Sequence, residues 1–239
     1  MRIEKLGGLR VRIAGGTDGT GGGHGPVVIL LHGFGAPGDD LVSLGDAISA
    51  PAGTRFIFPE GPLSLNLGFG DSRAWWMIDW NRVNLDIVAG RLRDLSREAP
   101  KGLPAARQGV LSMLKELERR FGVDPKKTVL GGFSQGAMLA CDAMLRTDDP
   151  FAGLVLLSGT LLARDEWAPL MPKRRGLPVF QSHGTQDAVL PYLMAERLRD
   201  ELMQAGLRVD WHGFRGGHEI PDRVVTQLGA FVRGALNRT

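Results

Sequence analysis

A chain of 239 residues with 43% apolar and 23% charged side chains has the size and balance of one large globular domain around a buried core. Its formal charge of +3 comes from scattered arginines, with Lys173-Arg174-Arg175 the nearest approach to a patch, which argues against a nucleic-acid partner. The one cysteine, Cys141, excludes an intrachain disulfide, no apolar run is long enough for a membrane span, and the first residues lack the apolar stretch of a secretory signal. The expected location is therefore cytoplasmic.

In chain order, Arg2 to Leu6 and Leu9 to Ala14 flank Gly7-Gly8 and predict an antiparallel hairpin at a sheet edge. Residues 15–25 are rich in glycine and read as a mobile surface loop. Val27 to Leu31 is continuously apolar, as a buried parallel strand is, and runs into His32-Gly33-Phe34-Gly35. Gly38-Asp39-Asp40 reads as a helix start with carboxylates at its positive end. Thr54 to Phe58 is a further strand.

Residues 59–103 are irregular and hold Phe69, Trp75, Trp76, Met77 and Trp80, with local helix expected around Asn84 to Ser96. Such a stretch is a lid or pocket wall, or else a satellite cluster that covers the core. In the first reading, one of the adjacent pair Trp75 and Trp76 faces an apolar ligand, because neighbours in extended chain point to opposite sides.

Pro104 to Phe121 is an amphipathic helix, with Pro104 in its first turn and Gly122 at its stop. Lys127 to Gly131 is a strand, and Ser134 to Arg146 is a helix apolar on most faces. Strands follow at Gly153 to Ser158, Leu177 to Ser182 and Val209 to His212, with a helix at Ala195 to Ala205 and a last helix striped by Val224, Leu228, Val232 and Leu236. Alternation of this kind predicts an α/β fold: a mostly parallel sheet with helices on both faces and the antiparallel hairpin at its N-terminal edge, as one domain over residues 1–239. Ligands bind such sheets beyond the carboxyl ends of the strands.

Gly132-Phe133-Ser134-Gln135-Gly136 falls where a strand must turn into a helix. A sharp turn there strains the serine and lifts its hydroxyl above the sheet, and the glycines are needed because a Cβ would meet the neighbouring strand and helix. A serine hydroxyl at neutral pH needs a base to attack, and that base needs an acid to orient it. Of five histidines, His218 lies after the last strand between glycines and a helix start, and Asp187 follows the strand before it. The order Ser134, Asp187, His218 is that of α/β-hydrolases. His32 is expected to order its loop, and His183 to bond locally. Two fixed donors are needed for the developing oxyanion, assigned to the backbone N–H groups of Gln135 and Phe34. No cluster of His, Asp and Glu suits a metal ion.

Four motifs carry a resemblance: Leu31-His32-Gly33-Phe34-Gly35 with Gly38-Asp39-Asp40-Leu41, Gly131-Gly132-Phe133-Ser134-Gln135-Gly136-Ala137, His183-Gly184-Thr185-Gln186-Asp187 with Val189-Leu190-Pro191, and Gly216-Gly217-His218. Together they resemble the phospholipase/carboxylesterase family, relatives of acyl-protein thioesterases and lysophospholipases. The stretch Arg73-Ala74-Trp75-Trp76-Met77-Ile78-Asp79 resembles its bacterial branch. The resemblance implies a cofactor-free serine esterase working through an acyl-serine intermediate on a small ester or lipid-like substrate, as a monomer or homodimer. Lysophospholipid and thioester hydrolysis, acyl transfer, and a silent binding module of the same fold are the competing readings.

Overall fold

The computed structural model describes residues 1–65 and 71–237, so Phe69 lies outside the described residues. Gly7 and Gly8, both at positive φ, turn β1 (Arg2–Leu6) back along β2 (Leu9–Gly16) as the expected antiparallel pair. The glycine-rich stretch departs from expectation. It carries a short strand, β3 (Thr20–Gly22), paired with β2. The Asp18 carboxylate holds that turn by accepting the Thr20 and Gly22 N–H groups at 2.8 and 2.9 Å.

β4 (Val27–Leu31) and β5 (Arg55–Pro59) pair in parallel, and β5 takes β2 antiparallel on its other side. β6 (Leu63–Leu65) and β7 (Ser72–Ala74) form a separate two-stranded ribbon. The main sheet continues through β8 (Thr128–Phe133), β9 (Gly153–Leu157), β10 (Pro178–Gly184) and β11 (Arg208–Phe214). Its order is β1-β2-β5-β4-β8-β9-β10-β11, parallel from β5 onward.

Alternate side chains of each strand leave opposite faces, which is why the parallel strands are apolar throughout. Val27, Ile29 and Leu31 of β4 pack into the core on one face, whereas Val28 and Leu30 join the other. The first face is covered by α3 (Leu103–Phe121) and α4 (Gln135–Leu145). Every residue of α4 is buried, in keeping with its apolar composition. Its Asp142 is neutralised by Arg107 at 2.8 Å and accepts Trp167 Nε1–H at 2.8 Å. The second face is covered by the C-terminal helix, Asp222–Leu236, through Val224, Leu228 and Val232.

Two helix expectations shift. Residues 38–43 make turns, with Asp40 N–H on Pro37 O and Val42 N–H on Asp39 O, and helix α1 (Leu44–Ala47) begins only after them. The helix expected around Asn84 to Ser96 is α2 (Trp80–Val88), started by Asp79, which accepts Arg82 N–H at 3.1 Å, and followed by Gly90 at positive φ.

Candidate active site

β8 ends at Phe133 and α4 begins at Gln135, so Ser134 alone makes the turn. Its backbone sits at φ 54°, ψ −116°, a conformation that an L side chain rarely adopts. The turn is held by Ser134 N–H donating to Leu157 O at 2.8 Å. A Cβ on Gly132 would come within 2.5 Å of Leu31 O, and one on Gly136 would collide with the same carbonyl. The two glycines are therefore what lets α4 pass so close to β4.

The hydroxyl raised by this turn meets His218, carried by the loop after β11, with Ser134 Oγ and His218 Nε2 2.8 Å apart. His218 Nδ1 lies 2.7 Å from Asp187 Oδ2, in the loop after β10. An acceptor-only carboxylate opposite Nδ1 selects the Nδ1–H tautomer, which leaves Nε2 free to accept the serine proton. Asp187 is oriented in turn: its Oδ1 accepts the Val189 and Leu190 N–H groups at 2.9 and 2.8 Å. Burial opposes its charge, but hydrogen bonds from His183 and His218 outweigh that and hold its carboxyl well below the usual range.

His183 is the partner that sequence reasoning undervalued. It is fully buried, its Nε2 lies 2.7 Å from Leu190 O and 3.2 Å from Asp187 Oδ2, and it braces the same carboxylate oxygen that His218 meets. The four-residue spacing of His183 and Asp187 across a strand end was the available signal.

Phe34 and Gln135, the expected oxyanion donors, both line the cavity at Ser134 and His218. Among the described residues their backbone N–H groups donate to no protein acceptor. The Phe34 loop is clamped on both sides. Gly35 N–H donates to Arg73 O at 2.8 Å and Arg73 N–H to Ala36 O at 3.0 Å. The Arg73 guanidinium reaches the buried Glu60 at 3.0 Å, where Arg12 also pairs at 2.8 Å. His32 orders the start of the loop, as expected. Its Nδ1–H donates to Gly33 O at 2.7 Å and its Nε2 accepts Gly61 N–H at 2.9 Å. Burial depresses the pKa of this ring, which keeps it neutral.

The cavity holds about 120 Å³ and is walled by Phe34, Ile78, Trp80, Val83, Leu95 and Met138. Trp75 and Trp76, the expected wall, do not line this cavity: they are 2% and 3% exposed and belong to the core. Trp75 donates Nε1–H to His32 O at 2.9 Å, and Trp76 reaches only the groove beyond the cavity. The backbone of the pair is captured by Gln135, whose side-chain amide accepts Trp75 N–H and donates to Trp76 O, both at 2.9 Å. The tryptophan that does line the cavity is Trp80, 42% exposed, with its ring stacked 5.9 Å from Phe34. Its signal lay in its place beside Asp79, the cap of α2.

The family model described as Phospholipase/Carboxylesterase matches residues 20–236. The chain belongs to the phospholipase/carboxylesterase family. As a member of the phospholipase/carboxylesterase family it is an ester-hydrolysing serine hydrolase. It is similar to acyl-protein thioesterase 1 of Candida albicans, 27% identical over 236 residues, spanning 88% of this chain and 92% of the relative. A Cryptococcus neoformans acyl-protein thioesterase 1 is 30% identical over 193 residues, spanning 76% of this chain and 74% of the relative. Among solved structures, esterase PE8 superposes with a TM-score of 0.79 at 29% identity, covering 95% of this chain and 99% of its own. The Bacillus cereus carboxylesterase shares the fold, with a TM-score of 0.70 at 22% identity over 95% of this chain and 94% of its own.

Proposed function

We propose that this protein is a serine carboxylesterase in which Ser134 is the nucleophile, His218 the general base and acid, and Asp187 the group that orients the imidazole. The observation that carries the reading is the unbroken chain from Ser134 Oγ through His218 to Asp187, at 2.8 and 2.7 Å, opening on an apolar cavity. In the first step the hydroxyl oxygen attacks the ester carbonyl while its proton passes to His218 Nε2. The oxyanion is met by the backbone N–H groups of Phe34 and Gln135, the second of which also stands at the N-terminus of α4. His218 then gives the proton to the departing alkoxide, leaving an acyl-serine, and a water activated by the same imidazole releases the acid.

The apolar wall accepts the hydrocarbon part of a small ester or lipid-like substrate. Thioesters are a second reading for the same site, favoured by the relatives named acyl-protein thioesterases. The chemistry is unchanged, because a thiolate leaves where an alkoxide would.

The test is labelling with an alkyl fluorophosphonate followed by peptide mapping, together with hydrolysis of a series of nitrophenyl acyl esters and acyl thioesters. The expected result is stoichiometric modification of Ser134, abolished in Ser134→Ala, and turnover of esters. Labelling at another residue, or no turnover of any ester or thioester, overturns the proposal.

A further inference from the structure

Beyond the Ser134 cavity lies a larger groove of about 1020 Å³, and the two share Ile78, Val83, Arg93, Leu95 and Met138 along their border. Four of these are apolar. Arg93 is the exception. It sits in the segment between α2 and α3, half-buried, with Nη1 donating to Val189 O at 2.7 Å. Its Nε and Nη2 have no protein acceptor, and no carboxylate lies within ion-pair distance of it among the described residues. Burial lowers its pKa, with Glu98 and Asp86 acting on it from a distance.

A half-buried guanidinium with no counter-ion in contact is costly to keep, because one hydrogen bond and distant carboxylates compensate its desolvation only in part. Of the nearby carboxylates, Glu98 lines the same groove but lies beyond ion-pair distance of Arg93, and the others are engaged elsewhere. Asp86 pairs with Arg91 at 2.7 Å, Asp94 with Arg197 at 3.1 Å, and Asp79 caps α2. Asp40 is the carboxylate in the Ser134 cavity, and it does not reach the groove. An anion drawn to Arg93 therefore sits on the groove side, away from Asp40, where Arg82, Arg91 and Lys101 offset the carboxylates of Asp79, Asp86, Asp94 and Glu98. The planar guanidinium edge suits a carboxylate or a phosphate, which it can meet with two parallel N–H bonds.

We propose that Arg93 is a specificity residue that binds an anionic group, phosphate or carboxylate, on the part of the substrate that extends from the Ser134 cavity into the groove. The inference rests on the esterase reading of that site. It narrows the substrate class from neutral esters to esters carrying a negative charge beyond the scissile bond. An uncharged ester is accepted by the apolar wall but leaves Arg93 unpaired.

Two measurements test it. In the first, kcat/KM is compared for a neutral ester and for matched esters ending in a phosphate or a carboxylate, in wild type and in Arg93→Met. The quantity read is the ratio of anionic to neutral, so any common effect on the catalytic groups cancels. The expected result is a ratio above one that falls about tenfold or more in the variant, with Arg93→Lys between. The phosphate and carboxylate arms show which anion is preferred.

In the second, Ser134→Ala is titrated calorimetrically with decyl phosphate, decanoate and decanol. Tighter binding of either anion than of decanol, abolished by adding Arg93→Met, is expected. A ratio unchanged by Arg93→Met, or equal binding of all three ligands, overturns the proposal while ester turnover still stands. Anion preference in the titration without turnover of any ester sinks the esterase reading and leaves the Arg93 site intact.

Discussion

The side-chain carbonyl of Gln135 accepts the Trp75 backbone N–H at 2.9 Å, across 60 residues of sequence. The residue that follows Ser134 thus anchors the segment whose next turn builds the cavity wall. Because the same amide also donates to Trp76 O, its loss strands two buried backbone groups at once. Gln135→Ala is expected to cost about 2–6 kcal/mol of stability, at roughly 1–3 kcal/mol for each of the two buried groups left unpaired. It is also expected to lower kcat, since Ile78 and Trp80 follow directly. Urea unfolding beside ester kinetics checks both, and a variant as stable as wild type contradicts the role given to the amide.

Ser134→Ala is expected to reduce kcat by about 10⁴ to 10⁶-fold with the fold retained. The strained backbone adds a second expectation. At φ 54°, ψ −116° a glycine is unstrained where alanine is not. Ser134→Gly should therefore be more stable than Ser134→Ala by about 1 kcal/mol, although glycine at an ordinary position is the less stable of the two. Thermal melting of the two inactive variants gives the sign.

Asp187 is held ionised in the folded protein more strongly than in the unfolded chain, so its contribution to stability has a defined pH sense. A carboxyl whose folded pKa is depressed contributes stability above its unfolded value, near 3.9, and loses that contribution as pH falls toward the folded value. The stability gap between wild type and Asp187→Asn should be full at pH 6–7 and shrink below about pH 4. At neutral pH the same variant should lose kcat on the order of 10⁴-fold, because an amide opposite His218 Nδ1 can present its N–H₂ and select the wrong tautomer. Chemical denaturation as a function of pH, with a rate profile alongside, separates the two effects.

Trp75 and Trp80 should respond oppositely to truncation. Trp75 is buried and hydrogen-bonded to the His32 carbonyl, so Trp75→Ala is expected to destabilise by about 3–5 kcal/mol. Trp80 is 42% exposed at the cavity, so Trp80→Ala should melt close to wild type and shift the ranking of kcat/KM across acyl-chain lengths toward bulkier acyl groups. Melting and a chain-length series on both variants decide it. Equal destabilisation, or an unchanged ranking in Trp80→Ala, returns the wall to other residues.

Much of this protein is written in local sequence. Apolar strands alternating with amphipathic helices dictate a mostly parallel sheet, because a strand buried on both faces has no polar side to show. Gly7-Gly8 dictates the edge hairpin, and Gly132 and Gly136 dictate the turn that raises Ser134, because each depends on backbone conformation and close approach at one place. Ser134, Asp187 and His218 could be nominated together because each follows a strand and parallel strands end at one edge. Tertiary structure alone decided the rest. Whether Trp75 or Trp80 faces the cavity depends on Gln135 seizing the Trp75 backbone from a distant helix, not on any periodicity in residues 59–103. The bracing of Asp187 by His183 and the unpaired charge of Arg93 are likewise facts of burial and distance. They arise from which side chains the fold brings together and which partners it withholds, and a one-dimensional pattern carries no record of either.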